Sequence, residues 1–235
     1  SIVLPDVYNL HKEIGTKIFV LDVGCGTGRM LLPLSDYANI ETYGMDLSAN
    51  MVNKAADKLY GKWNKVNLSI GDSQYLPFKE EVFDVCLLNF GVLSFAPNYE
   101  KVVRDLNLVL RDNGVVWIST YNKEGLNFYV SKYYKPSTII EFDSENYIRV
   151  KDKRIYCKPF KIDELNKLLE RAGFEVEYQT TILSILPLIP KEIMTKNRNL
   201  LLEWVLRAKE LERLAQEVDG LRELGAYIIV KARKC

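Results

Sequence analysis

Apolar residues along this chain fall into two alternating patterns, solid runs and spaced stripes, and the alternation predicts strands and helices taking turns. Solid runs over residues 18–23, 40–45, 66–70 and 83–88 read as buried strands, and residues 114–120, 174–181 and 226–232 add three more. Between them lie stripes at helical spacing. One carries Met51, Val52, Ala55, Ala56 and Leu59 behind Ser48 as N-cap. Another carries Val102, Val103, Leu106, Val109 and Leu110 behind Asn98, with Gly114 placed for a left-handed C-terminal cap. A third has Asp163 and Glu164 in its first turn, Leu165, Leu168, Leu169 and Ala172 inward, and Gly173 at its end. A further helix follows Gly28, where Pro33 is tolerable only near the first turn. A long amphipathic helix covers residues 200–218, with Lys, Arg and Glu on its outer face. Strands alternating with helices demand an α/β fold, a parallel sheet with helices on both faces.

Length and composition fit one domain over residues 1–235, enough chain to bury roughly 70 to 75% of its unfolded surface. The net charge of +1 argues against an obligate polyanion partner, so nucleic acid is the less favoured ligand class. Cys25, Cys86, Cys157 and Cys235 lie far apart, and one histidine is too few to complete a zinc site, so no metal is expected. Unpaired cysteines suit a reducing cytoplasm. The first strand begins too early for a secretory signal ahead of it, and no apolar run approaches the ~20 residues of a membrane span. Oligomeric state is not readable.

The chemistry concentrates where the first strand ends, at Leu21-Asp22-Val23-Gly24-Cys25-Gly26-Thr27-Gly28. Glycines at every second position let the backbone turn sharply and approach a small ligand, with free amide groups facing its polar end. The dinucleotide fingerprint would need a third glycine where Arg29 stands. Asp22 would repel a pyrophosphate and attract an ammonium group. An amino-acid-like cationic ligand fits, and S-adenosyl-L-methionine has that character. Asp46 ends the second strand 20 residues after Gly26, close to the spacing of roughly 20 at which an acid meets ribose hydroxyls. Gly71-Asp72-Ser73 closes the third strand. An acid at a strand end is by itself often a helix cap or a solvated loop residue, so the set carries the argument.

These motifs resemble the class I S-adenosylmethionine-dependent methyltransferases, as do Phe83-Asp84-Val85-Cys86, Val109-Leu110-Arg111-Asp112-Asn113-Gly114 and Glu170-Arg171-Ala172-Gly173-Phe174. The overall likeness is to small-molecule enzymes of the ubiquinone/menaquinone-biosynthesis type. The resemblance implies a Rossmann-like, seven-stranded, mostly parallel sheet whose last strand is antiparallel and enters as a hairpin after the sixth. It implies that Asp22, Gly24, Cys25, Gly26 and Gly28 hold the cofactor. It also implies that Asp46, with Leu47, holds the ribose side, and that Asp72 and Ser73 meet the adenine. Asn89 and Phe90, after the fourth strand, would lie beside the methionine moiety and the transferred methyl group.

Methyl transfer is an in-line displacement at an activated carbon, so the protein chiefly aligns the acceptor and excludes water; no catalytic residue is identified. His11 lies on an N-terminal segment able to fold over the ligand, although a lone exposed histidine is usually inert. Asn89 is followed by Phe90 and Gly91, not by the Asn-Pro-Pro-Tyr-like stretch that acts on base amines, and Cys86 lies inside a buried strand, so base methylation is disfavoured. A small-molecule acceptor, methylated on O, N or C, is expected. The alternatives are a tRNA nucleotide, a catalytically silent partner subunit and, less favoured, a nicotinamide oxidoreductase.

Two regions exceed a minimal sheet. Residues 121–159 contain Phe128, Tyr129, Tyr133, Tyr134, Phe142, Tyr147 and Tyr156 and follow a strand end on the ligand side, which predicts a substrate cap. Its later half reads as a hairpin turning near Asp152, ringed by Arg149, Lys151, Lys153, Arg154 and Lys158. Those charges fit a solvated edge, or else a cradle for an acidic substrate or RNA backbone. Residues 182–189 are apolar and broken by Pro187, which suits core packing, an acceptor pocket or a dimer contact.

Overall fold

The computed structural model describes residues 2–61, 65–125, 145–150, 153–182, 198–215, 217–218, 220 and 223–235. The first half runs α1 (Val3–Ile14), β1 (Ile18–Val23), α2 (Leu31–Leu34), β2 (Ile40–Asp46), α3 (Ala49–Lys58), β3 (Val66–Ile70) and β4 (Phe83–Leu88). It continues with α4 (Val92–Phe95), α5 (Tyr99–Val109), β5 (Leu110–Tyr121) and the hairpin β6 (Tyr147–Val150) with β7 (Lys153–Tyr156). The last elements are α6 (Ile162–Arg171), β8 (Phe174–Ile182), α7 (Arg198–Ala215) and β9 (Tyr227–Lys234).

Seven strands form one sheet in the order β3-β2-β1-β4-β5-β9-β8. The pairs from β3 to β5 are parallel, and β9 enters antiparallel between β5 and β8. The expected Rossmann-like sheet with an antiparallel last strand is therefore present. Central strands are solid apolar runs because both faces are covered. Leu21 and Val23 point into a cluster with Val102, Val103 and Leu106 of α5 and Leu165 and Leu169 of α6. Ile18 and Val20 point into the opposite cluster, which Val3 and Val7 of α1 close. Edge strand β3 buries only Val66 fully, as a sheet margin must.

Helix α1 was not expected from the stripes. It is fastened by Asp6, whose carboxylate accepts from the Trp117 indole N–H at 3.0 Å and pairs with Lys231 at 2.9 Å. His11 lies on it, away from the strand ends that form the site. The helix after Gly28 is the four-residue α2, with Pro33 inside it, because the turn uses up the chain before Leu31. Ser48 and Asn98 stand at N-cap positions without side-chain capping bonds, and Asn113 (φ +61°), not Gly114, takes the left-handed conformation before β5 straightens. Hairpin β6–β7 pairs as predicted; its turn, residues 126–144 of the expected cap and residues 183–189 of the apolar stretch lie outside the described residues. Among the described residues no helix is long and apolar enough to cross a membrane.

The strand order reverses at β1, which has β2 on one side and β4 on the other, both starting from later points in the chain. Ligands of such sheets sit outside the strand ends at this switch point, because the connections there diverge to opposite faces and leave a crevice.

Candidate functional site at the β1 switch point

The crevice is built by the turn after β1. Gly24 N–H and Cys25 N–H both donate to the Met45 carbonyl at 2.7 and 3.0 Å, which folds the turn across the end of β2. Gly24 has φ +72°, and a Cβ there would sit 2.3 Å from Val92 Cγ2, so only glycine lets β1 pass under α4. Gly26, at φ +53°, is different: a Cβ there would meet nothing within 4 Å, because it would project into open space. Its N–H donates to Asp46 Oδ2 at 2.8 Å, while Asp46 Oδ1 accepts from Ser48 N–H at 2.9 Å. Asp46 thus braces the glycine turn and the entry to α3 at once.

The resulting cleft holds about 320 Å³. Six of the sequence-predicted residues line it: Asp22, Gly24, Cys25, Gly26, Asn89 and Phe90. Asp22 is 2% exposed, and no hydrogen-bond donor meets its carboxylate among the described residues. Burial, followed by the nearby Asp46 charge, pushes its pKa up to about 8. Asn89 is 8% exposed and its Nδ2 has no partner, an orphaned donor of the kind native interiors avoid unless a ligand or water completes it. Phe90 holds φ +60°, costly for a bulky residue, with its N–H donated to Ser119 Oγ at 2.7 Å and its ring 55% exposed. Burial pushes the Cys25 thiol up to about 12 and raises Cys86 as well, so neither is a nucleophile at neutral pH.

Asp46, Leu47, Asp72 and Ser73 do not line this cleft; they occupy the neighbouring ends of β2 and β3, which pair Asp46 with Ile70. Gly71 N–H donates to the Asp46 carbonyl at 3.0 Å, and the Asp72 carboxylate accepts from Gln74 N–H at 2.9 Å. Leu47 and Ile70 are 71% and 60% exposed, an apolar ledge beside two acids. Gly28 lies behind the turn, against Ala55 of α3 and Leu59 at its C-terminal cap. Sequence reasoning missed four lining residues, Thr27, Arg29, Met30 and Met51. Met51 shares the helical stripe of Val52 and Ala55, yet it overhangs the crevice, partly exposed. Arg29 stands where the dinucleotide fingerprint would need its third glycine, and it too lines the cleft.

A larger groove of about 700 Å³ lies between α5 and α6, lined by mixed charges such as Glu100, Arg104, Asp163 and Arg171. It contains none of the strand-end residues and no orphaned polar group, so volume alone does not locate the site.

Residues 21–118 match the model of a methyltransferase domain family. The chain is 31% identical over 182 residues to an uncharacterised protein of Methanocaldococcus jannaschii, covering 72% of this chain and 66% of that one. It is 33% identical over 110 residues to demethylmenaquinone methyltransferase of Staphylococcus haemolyticus, covering 46% and 44%. The chain therefore spans less than two thirds of the length of either relative. Among solved structures, the (4+2)-cyclase SpnF superposes with a TM-score of 0.60 at 22% identity, over 93% of this chain and 76% of that one. That likeness concerns the fold alone.

Proposed function

Because the chain belongs to the class I S-adenosylmethionine-dependent methyltransferases, we propose that it transfers a methyl group from S-adenosyl-L-methionine to an O, N or C atom of a small-molecule acceptor. One observation carries this reading. A buried carboxylate without a donor (Asp22), an amide donor without an acceptor (Asn89) and the open side of Gly26 all face one cleft. These residues fit a ligand with a cationic amino-acid end, since a nearby ammonium or sulfonium favours the ionised form of Asp22 that burial otherwise disfavours, and a carbonyl or carboxylate satisfies Asn89. Asp46 at the end of β2, Asp72 just past β3 and the Leu47–Ile70 ledge are suited to a ribose and a flat base.

The bound cofactor supplies a methyl carbon activated by its sulfonium. The chain's own part is alignment and exclusion of water. Phe90 and Gly91, consecutive left-handed residues fixed by Ser119, set the floor beside the reacting end. The Tyr121 ring packs against Gly91, Phe95 meets Tyr121 edge-on at 5.9 Å, and Tyr227 lies 4.8 Å beyond it. This aromatic wall continues from the cleft and suits an apolar acceptor. Two of the hairpin cations, by contrast, are already occupied: Arg154 pairs with Glu145 and lies over the Tyr147 ring, and Lys158 pairs with Glu164. That favours a small molecule over an RNA backbone. Residues 121–159 serve in this reading as the acceptor cap, and the protein acts in the cytoplasm.

Calorimetry with S-adenosylmethionine and with NAD, followed by detection of S-adenosylhomocysteine in the presence of metabolite or tRNA pools, tests the reading. Binding of the sulfonium and by-product formation with metabolites are expected. Binding of NAD alone would overturn it, and binding without by-product from either pool would point to a silent subunit.

A further inference from the structure

Arg29 follows the last glycine of the turn and lines the cleft, yet nothing above gives it a task. Several other arginines hold carboxylates, Arg111 with Asp84, Arg207 with Glu203 and Arg213 with Glu210 and Glu217, while Arg104 and Arg171 lie in the mixed-charge groove between α5 and α6. Arg29 has no ion pair among the described residues. Its guanidinium lies 5.1 Å from the centroid of the Phe90 ring. Stacking on a ring limits a long side chain's freedom while leaving all five N–H donors in the ring plane's surroundings unspent. The platform is itself rigid, because Phe90 is locked in a left-handed backbone by Ser119 and followed by Gly91.

The cleft therefore presents three unmet demands of different sign. Asp22 calls for a cation, Asn89 Nδ2 for an acceptor, and Arg29 for an anion that a planar fork can grip. A ligand with only a cation leaves Arg29 idle, and a ligand with only an anion leaves Asp22 buried without the cation that would stabilise its ionised form. An α-amino-acid terminus meets all three within a few ångströms, since its ammonium and carboxylate share one carbon. We infer that Arg29 binds the carboxylate of the methionyl end of the cofactor, acting from its Phe90 platform, and so makes the site selective for the intact amino-acid terminus. The inference rests on the proposed function and assigns a recognition residue within that site.

The test is a comparison of ligands that differ by this carboxylate. S-adenosylmethionine and its decarboxylated form share sulfonium, ammonium, ribose and adenine. The unaltered protein should bind the intact form at least ~10-fold more tightly, as expected for a charge-assisted bidentate contact. In Arg29→Met that preference should vanish, with affinity for the decarboxylated form unchanged; Arg29→Lys, which keeps the charge and loses the fork, should retain part of it. Arg29 is exposed and makes no hydrogen bond that the fold uses, and thermal melting of both variants verifies folding. Equal weakening of the two ligands, or no change in their ratio, would overturn the assignment while leaving the methyltransferase reading standing. Failure of the unaltered protein to bind either ligand would instead overturn both.

Discussion

Asp22 shows how one residue can couple the fold to its ligand. A carboxyl group whose pKa is raised to about 8 in the folded chain, from 3.8 when exposed, keeps its proton where the unfolded chain has lost it. The folded state then binds more protons, so this group's penalty grows as pH rises from about 4 to about 8 and is constant above that. Asp22→Asn should therefore melt at a higher temperature than the parent at pH 8 and at nearly the same temperature at pH 4; a difference independent of pH would refute the raised pKa. The sign for binding is opposite. A cation in the cleft favours the ionised form, so S-adenosylmethionine affinity should rise between pH 6 and 8 with release of up to about one proton, measurable by calorimetry in buffers of different ionisation enthalpy. Asp46, proposed for the ribose side, also carries a structural duty that its position at a strand end did not reveal. Its carboxylate accepts from Gly26 and Ser48, so Asp46→Ala should weaken cofactor binding by about 1.5–3 kcal/mol and lower the melting temperature too. Asp46→Asn, retaining one acceptor oxygen, should fall between. Unchanged affinity in the alanine variant would remove Asp46 from the site.

At the scale of the element, the glycine turn separates architecture from recognition. Gly24→Ala would force a Cβ to 2.3 Å from the stiff Val92 side chain at φ +72°, a cost of about 2–4 kcal/mol from strain and overpacking together. Gly26→Ala meets no neighbour within 4 Å and should cost only about 1–2 kcal/mol, yet its methyl group would enter the ligand's space and abolish binding. Melting curves and calorimetry on the pair distinguish the two roles; parallel losses in both variants would contradict them. This turn was legible in the sequence because a strand end, a buried acid and glycines at alternate positions are all local signals. Helix α1 was not, although Val3 and Val7 lie one turn apart and Gly15 closes it at φ +71°. Its anchor, Asp6 to Trp117, joins distant parts of the chain, and local periodicity is blind to such pairs. Arg29 escaped for the same reason, since its direction depends on the left-handed backbone of Phe90.

Across the whole molecule, periodicity placed the seven sheet strands but not their order, because a run such as residues 226–232 fits any central slot. Family resemblance supplied the antiparallel insertion of β9 between β5 and β8. That insertion matters to the expected cap. Beyond β5 the chain leaves the sheet and returns to the same place: Asn122 bridges Phe160, Phe160 N–H donates to the Tyr121 carbonyl at 2.9 Å, and Lys123 N–H donates to the Phe160 carbonyl at 2.8 Å. Asn122 also donates from its side-chain amide to the Glu223 and Gly225 carbonyls at 2.7 and 2.8 Å, tying the exit point to the approach of β9. The base of the excursion is thus fastened independently of what lies beyond it, and residues 126–144 can be exchanged without loosening the sheet. Replacing them with a Gly/Ser linker of equal length should leave the melting temperature and S-adenosylmethionine affinity close to those of the parent, because the proposed cofactor cleft is lined by the end of β1, the turn after it, Met51 of α3 and the segment after β4. Methyl transfer to the acceptor should be lost, since the aromatic residues Phe128, Tyr129, Tyr133, Tyr134 and Phe142 go with the segment. Undiminished turnover would refute the cap, and lost cofactor affinity would move those aromatics from the acceptor's side to the cofactor's.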